Sequence, residues 1–245
     1  MLTALFLATL PLPNASPAKA GAQLRPARYW APAFAGEAKE DKPSGRSAPV
    51  RPGAMSPIDA ERAFAADAKT TGQWTAFRKW STDDAVMFVP QPTNAHEFLK
   101  DRKDPPNAID WWPTASYISC DGSVAVNTGG WKRPDGKVGY FSTVWQRQPD
   151  GGWKWIVDGG GELKTARERP VNPKVRRSIC LGGMTMFGMS IKAPAAKSAY
   201  GFAKDGTLSW SWIVDPDGSR MFMVELSVGG NRMKTVILDK IPAPK

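Results

Sequence analysis

The chain has 245 residues and a formal net charge of +10, with 11 tryptophans, two cysteines and a single histidine. One histidine and two cysteines exclude a Cys/His zinc cluster. The charge is unevenly spread: residues 56–160 carry 12 basic against 13 acidic side chains, and residues 161–204 carry nine against two. A nucleic-acid-binding domain would place its basic patch on a structured face, so a near-neutral stretch followed by a basic connector argues against one.

Residues 1–20 read as a secretory signal. Leu2–Leu12 is an apolar run of signal-core length, and Ala18-Lys19-Ala20 supplies a small-x-small cleavage pattern, although no basic residue precedes the run. The run is too short for an integral membrane span. These features imply a periplasmic or secreted protein. Export would put Cys120 and Cys180 in an oxidising compartment, where one bridge or two buried free thiols are both open. Residues 21–55 are rich in Pro, Ala, Gly and charge without apolar period, and read as a disordered linker.

From residue 56 the pattern becomes that of a folded domain, expected to end near residue 160. Ser56-Pro57 is a helix start, with Asp59 and Glu61 in the first turns, where the helix dipole favours acids. Phe64, Ala65 and Ala68 share a face, and Gly72 stops the helix. A second helix spans about 73–79, with Trp74, Phe77 and Trp80 three apart. Ala85–Val89 is a strand ended by Pro90 and Pro92. Asn94 and Glu97 form a capping box for a third helix, which carries His96 as an exposed residue. Strands follow at Thr114–Cys120 and Ser123–Trp131. Two more flank the turns Pro134-Asp135-Gly136 and Pro149-Asp150-Gly151, ending at Asp158. Side chains of 138–145 are bulky on both faces, so both faces need cover. Helices gathered on one face of an antiparallel sheet give an α+β domain, cone-shaped and open at one end.

Residues 161–204 read as a basic, solvated connector. Within 205–245, Leu208–Val214, Pro216-Asp217-Gly218 and Met221–Val228 form a hairpin, and Arg232–Leu238 a last strand. Leu208, Trp210, Trp212, Phe222, Val224 and Leu226 would dock this β-rich extension onto the first domain.

The succession Glu61-x-x-Phe64-Ala65, Gly72-x-Trp74-x-x-Phe77, Asp83-Asp84-Ala85-Val86-x-Phe88-x-Pro90, Trp112-x-Thr114, Gly136-x-x-Gly139-x-x-x-x-Val144-Trp145 and Gly152–Asp158 resembles the nuclear transport factor 2-like superfamily. Its nearest likeness is to the uncharacterised branch called domain of unknown function 4440. The resemblance covers about Pro57–Gly160. It implies a cystatin-like cone and, because such proteins are often dimers through the open sheet face, a homodimer. The superfamily holds isomerases, cyclases, dehydratases and non-enzymatic binders, and fold does not choose among them.

The chemistry available is carboxylate and aromatic. Gly159-Gly160-Gly161 lacks the Lys-Ser/Thr pair of a phosphate loop. No cofactor or metal is implied. Asp110 and Asp158 adjoin tryptophan-rich strands, where lost hydration would raise a carboxyl pKa toward that of a general base. Tyr140 or Tyr117 would then donate to a developing oxyanion. Both aspartates also suit a plain structural role, bonding nearby backbone. Trp80, Phe88, Trp112, Tyr140, Trp145 and Trp155 are the candidates for lining an apolar pocket, and the tryptophans equally suit the core. The reading is an exported protein that binds a small apolar or aromatic molecule. The alternatives are a cofactor-independent isomerase or dehydratase using a buried carboxylate, and an envelope interaction module whose basic connector holds an anionic partner.

Overall fold

The computed structural model describes residues 55–180 and 197–244, all in the unit that runs from Ser44 to Lys245. The signal segment and nearly all of the 21–55 linker lie outside the described residues. Helix α1 (Pro57–Thr70) begins as its sequence dictates, the Ser56 hydroxyl accepting the Asp59 amide at 3.1 Å. Gly72 then turns the chain at φ +112° into α2 (Gln73–Trp80). The cap of α2 comes from far along the chain: Asp104 accepts the amide of Thr75 at 3.0 Å and its hydroxyl at 2.6 Å. A Cβ on residue 72 would lie 2.4 Å from that carboxylate.

The strands are β1 (Ser81–Phe88), β2 (Pro92–Asn94), β3 (Asp110–Ile118), β4 (Val124–Lys132), β5 (Val138–Arg147), β6 (Trp153–Leu163) and β7 (Lys174–Arg177). The short helix α3 (Ala95–Leu99) follows β2, its N-cap Asn94 accepting the Glu97 amide at 2.9 Å. These strands form one sheet in the order β2-β1-β6-β5-β4-β3-β7. Pairing is antiparallel except for β1 with β6 and β3 with β7, which are parallel. The α+β architecture is therefore the expected one, with helices on a largely antiparallel sheet. The turns at 134–136 and 149–151 carry Gly136 at φ +88° and Gly151 at φ +86°, while Asp135 and Asp150 each accept the amide two residues on.

Several strands differ from the sequence reading. Strand β3 begins at Asp110 and runs through Pro113, with a register shift between Pro113 and Ala115. Proline donates no ladder bond, so the strand tolerates it at this irregularity. Strand β6 continues through three glycines to Leu163, and β7 lies inside the segment read as connector. The C-terminal piece has four strands: β8 (Lys197–Phe202), β9 (Leu208–Val214), β10 (Arg220–Ser227) and β11 (Met233–Ile241), in the order β11-β10-β9-β8. The additional strand is β8, whose sequence around Gly201 carries no alternating pattern.

Two cores result, one on each face of the large sheet. On the helix face Phe64, Phe77, Trp80, Trp111, Trp145 and Trp155 pack with centroids 4.8–6.2 Å apart, edge to face except for the tilted Phe64–Trp80 pair. On the other face Val124, Val126, Val144 and Val157 meet Leu208, Trp212, Phe222, Val224 and Leu226 of the C-terminal sheet. The expected docking takes place there, on the face that the family resemblance would leave for a second subunit. Cys120 and Cys180 form a disulfide, joining the end of β3 to the chain that leaves β7.

Candidate functional site

The interior of the cone is filled. Trp145 and Trp155 have no exposed surface, and Trp80 packs against Trp145 at 6.0 Å. Beneath this aromatic layer lies a carboxylate that the sequence placed in the first turns of a helix and in the family-like motif, without a role in a site. Glu61 is 1% exposed and accepts three hydrogen bonds: from Trp111 Nε1 at 3.0 Å, Trp145 Nε1 at 2.8 Å and Asn127 Nδ2 at 3.1 Å. The signal was available, since Glu61 falls on the apolar face of α1 with Ile58, Phe64, Ala65 and Ala68. Burial pushes its pKa up to about 7, against the lowering effect of its three donors. Asp158 sits one strand beyond Thr143, whose hydroxyl it accepts at 2.6 Å, and burial raises it to about 6. Its negative charge adds to the rise at Glu61. The desolvation argued from the sequence thus operates at Asp158.

It does not prevail at Asp110. That residue stands at the start of β3, bonded by both Lys69 and Arg169. Burial alone would raise it, but the two cationic hydrogen bonds outweigh burial and hold its carboxyl below the ordinary range. Asp110 is an ionised bridge between two cations, and the expectation of a raised pKa there is corrected.

The other candidates are distributed over separate places. Tyr140 lies on the sheet's other face with the Arg167 guanidinium 4.9 Å from its ring, and burial pushes its hydroxyl up to about 12. Tyr117 also lies on that face, against the second core. Phe88 packs edge to face with Trp212 at 5.4 Å, under Arg220. The space between the two sheets here, lined by Phe88, Ser142, Arg220 and Asp239, is about 10 Å³, room for roughly one water molecule. His96, expected on an exposed face, is half-buried, its Nε2 2.9 Å from the Ser81 hydroxyl.

Of the proposed pocket residues, Trp112 borders a sizeable concavity. Strand β7 pairs with β3 only from Ala115 to Ile118, so among the described residues the outer edge of 110–113 has no strand beside it. Helix α1 flanks this edge on one side and the arm 167–171 on the other. The resulting groove is about 430 Å³, walled by Ala65, Trp111, Trp112, Pro113, Pro170 and Val171 and rimmed by Arg62, Lys69, Asp110 and Arg169.

The arm is pinned along its length. Arg167 donates to Thr128 Oγ1 at 2.9 Å and to the Gly129 carbonyl at 3.2 Å. Trp112 Nε1 donates to the Glu168 carbonyl at 2.9 Å, and Arg62 to that of Val171 at 3.0 Å. Arg169 lies 4.2 Å over the Trp112 ring. The basic residues of this stretch, expected to be merely solvated, therefore make specific contacts. Glu61 supports the opposite wall from beneath, through its bond to the Trp111 indole.

Neither a known protein family nor any curated protein matches this sequence. Similar solved structures include a candidate ketosteroid isomerase from Parabacteroides distasonis (19% identity, TM-score 0.36, 44% of this chain and 85% of that one). A nuclear transport factor 2-like superfamily protein from Salmonella enterica serovar Typhimurium is another (14%, 0.34, 44% and 89%). A third is the CaMKII hub of S. rosetta (16%, 0.33, 44% and 98%).

Proposed function

We propose that this chain is an exported binding protein for a small apolar or aromatic molecule, held in the groove between α1, the start of β3 and the 167–171 arm. The observation that carries the reading is the groove itself: about 430 Å³, with two indoles, two prolines and a valine in its walls. Ligand sites commonly occupy 300–1,000 Å³ and combine apolar walls with a few fixed polar groups. The nuclear transport factor 2-like assignment of residues 56–160, and its domain of unknown function 4440 branch, rest on the sequence motifs together with the helix-covered sheet. Export rests on the signal-like leader and agrees with the Cys120–Cys180 bridge. The test is native mass spectrometry of the chain purified from its exporting host. Retained small molecule, lost in Trp112→Ala but kept in Tyr140→Phe, supports the groove. Retention unchanged in Trp112→Ala removes it.

A second reading is favoured by the Glu61–Asp158 pair: an isomerase or dehydratase that moves protons with carboxyl groups raised to about 7 and about 6. It requires turnover of the retained molecule that Asp158→Asn abolishes with the fold intact. Unaltered turnover in that variant disposes of it.

A further inference from the structure

Three cations rim the groove, Arg62, Lys69 and Arg169, against one carboxylate, Asp110. Asp110 already satisfies one donor on Lys69 and one on Arg169. An ammonium carries three donors and a guanidinium five, so both cations keep hydrogen-bonding capacity. Both are also open to solvent, Lys69 at 49% and Arg169 at 53% side-chain exposure. Neither can be neutralised fully by a shared carboxylate, and the local balance stays positive. Arg62 is partly engaged, by the Val171 carbonyl and by Asp59 at 3.8 Å. The guanidinium of Arg169 is held in place by its stack on Trp112 and by Asp110, which lowers the entropy cost of recruiting it.

Resting on the groove reading above, we propose that the ligand is an acid: an apolar or aromatic body against Trp111 and Trp112, with a carboxylate or similar anion received by Lys69 and Arg169. A planar carboxylate matches the fork of Arg169, and the ligand's hydrocarbon lies along Pro113, Pro170, Val171 and the exposed edges of the two indoles. A neutral ligand would leave the spare donors to water and gain nothing from them. A cationic one would face like charge.

The test uses the full chain and three probes that share a naphthalene body: 2-naphthoate, 2-naphthol and 2-naphthylmethylammonium, titrated by calorimetry at pH 7. The expected result is naphthoate binding at least about tenfold tighter than naphthol, with the ammonium weakest. In Lys69→Gln/Arg169→Gln that preference, read as the ratio of naphthoate to naphthol affinity whatever the absolute values, falls to within about twofold, with circular dichroism and the unfolding midpoint checking that the fold is kept. Naphthoate binding in the parent chain should also weaken with added salt. Equal binding of naphthoate and naphthol, both lost in Trp112→Ala, would overturn the acid preference and leave the groove standing. A naphthoate preference that persists in the double variant would overturn it too, because the anion would then be recognised elsewhere. No binding of any probe at millimolar concentration would count against the acid and the groove together.

Discussion

Glu61 sets the pH response of the molecule. It is enclosed by two indole N–H groups and an amide, yet burial still lifts its pKa to about 7, while Asp158 reaches about 6. In the unfolded chain both carboxyls return to the ordinary range near 4. Between that range and their folded values, the folded protein holds protons that the unfolded chain has released. Stability is therefore greatest on the acid side of this window and falls as pH rises through about 6 and then about 7, levelling off above. The two carboxyls interact, so the loss belongs to the pair, and its size between pH 5 and pH 8 should be up to about 4 kcal/mol. Urea unfolding midpoints across that range measure it. Asp158→Asn should make the fall below about pH 6 shallower, and Glu61→Gln should remove the fall between about 6 and 7 and also reduce the part below it. A parent protein whose midpoint rises with pH over the same interval would contradict both assignments.

At the scale of elements, glycines with positive φ separate into two kinds. Gly72 is held at φ +112° with the Asp104 carboxylate where a Cβ would sit. Gly72→Ala must strain the backbone and also push away the cap of α2, so it should cost about 2–4 kcal/mol. Gly136 has φ +88° and nothing within 4 Å of a built Cβ, so Gly136→Ala should cost only about 1 kcal/mol. Thermal unfolding of the two variants side by side reads the difference. The same contrast explains what was legible in the sequence. The turn at 134–136 and the N-terminus of α1 are local events, written in adjacent residues, and they fold as their sequence directs. The cap of α2 by Asp104, the course of β3 through Pro113 and the pairing of β7 with β3 depend on partners 16 to 59 residues away. Propensity carries no trace of those. The site divides in the same way. Trp112 could be named from composition, but its groove is made by Lys69 and Arg169, 43 and 57 positions distant from it, and by a strand that starts too late to cover the β3 edge. Glu61 was legible by register and was missed because an acid near a helix N-terminus has a simpler explanation.

At the scale of the whole molecule, the large sheet has no bare face among the described residues. Helices cover one side, and β8–β11 cover the other through a core of buried valines, Trp212 and Phe222. A homodimer formed through that second face would have to displace the chain's own C-terminal sheet. The contact between the two sheets is reinforced by polar bonds, including Ser142 Oγ to Asp239 Oδ2 at 2.7 Å and the Cys120 amide to Thr207 Oγ1 at 2.8 Å. The Cys120–Cys180 bridge stands at this junction and closes a loop of 60 residues in sequence separation. It ties the end of β3 to the stretch just beyond β7, and Ile179 in that stretch donates its amide to the Ser227 carbonyl of the C-terminal sheet at 3.1 Å. Cross-linking a loop of this length restricts the unfolded chain by an amount worth about 2–4 kcal/mol of stability. Cys120→Ser/Cys180→Ser should lower the denaturant midpoint accordingly, and dithiothreitol should produce the same drop in the parent protein while leaving the variant unmoved. If the bridge also holds the two sheets in register, its loss should speed hydrogen exchange at the amides of Cys120 and Ile179 before it affects those of Trp145 and Val157 in the centre. A uniform increase across both sheets would mean instead that the bridge acts only on the unfolded chain.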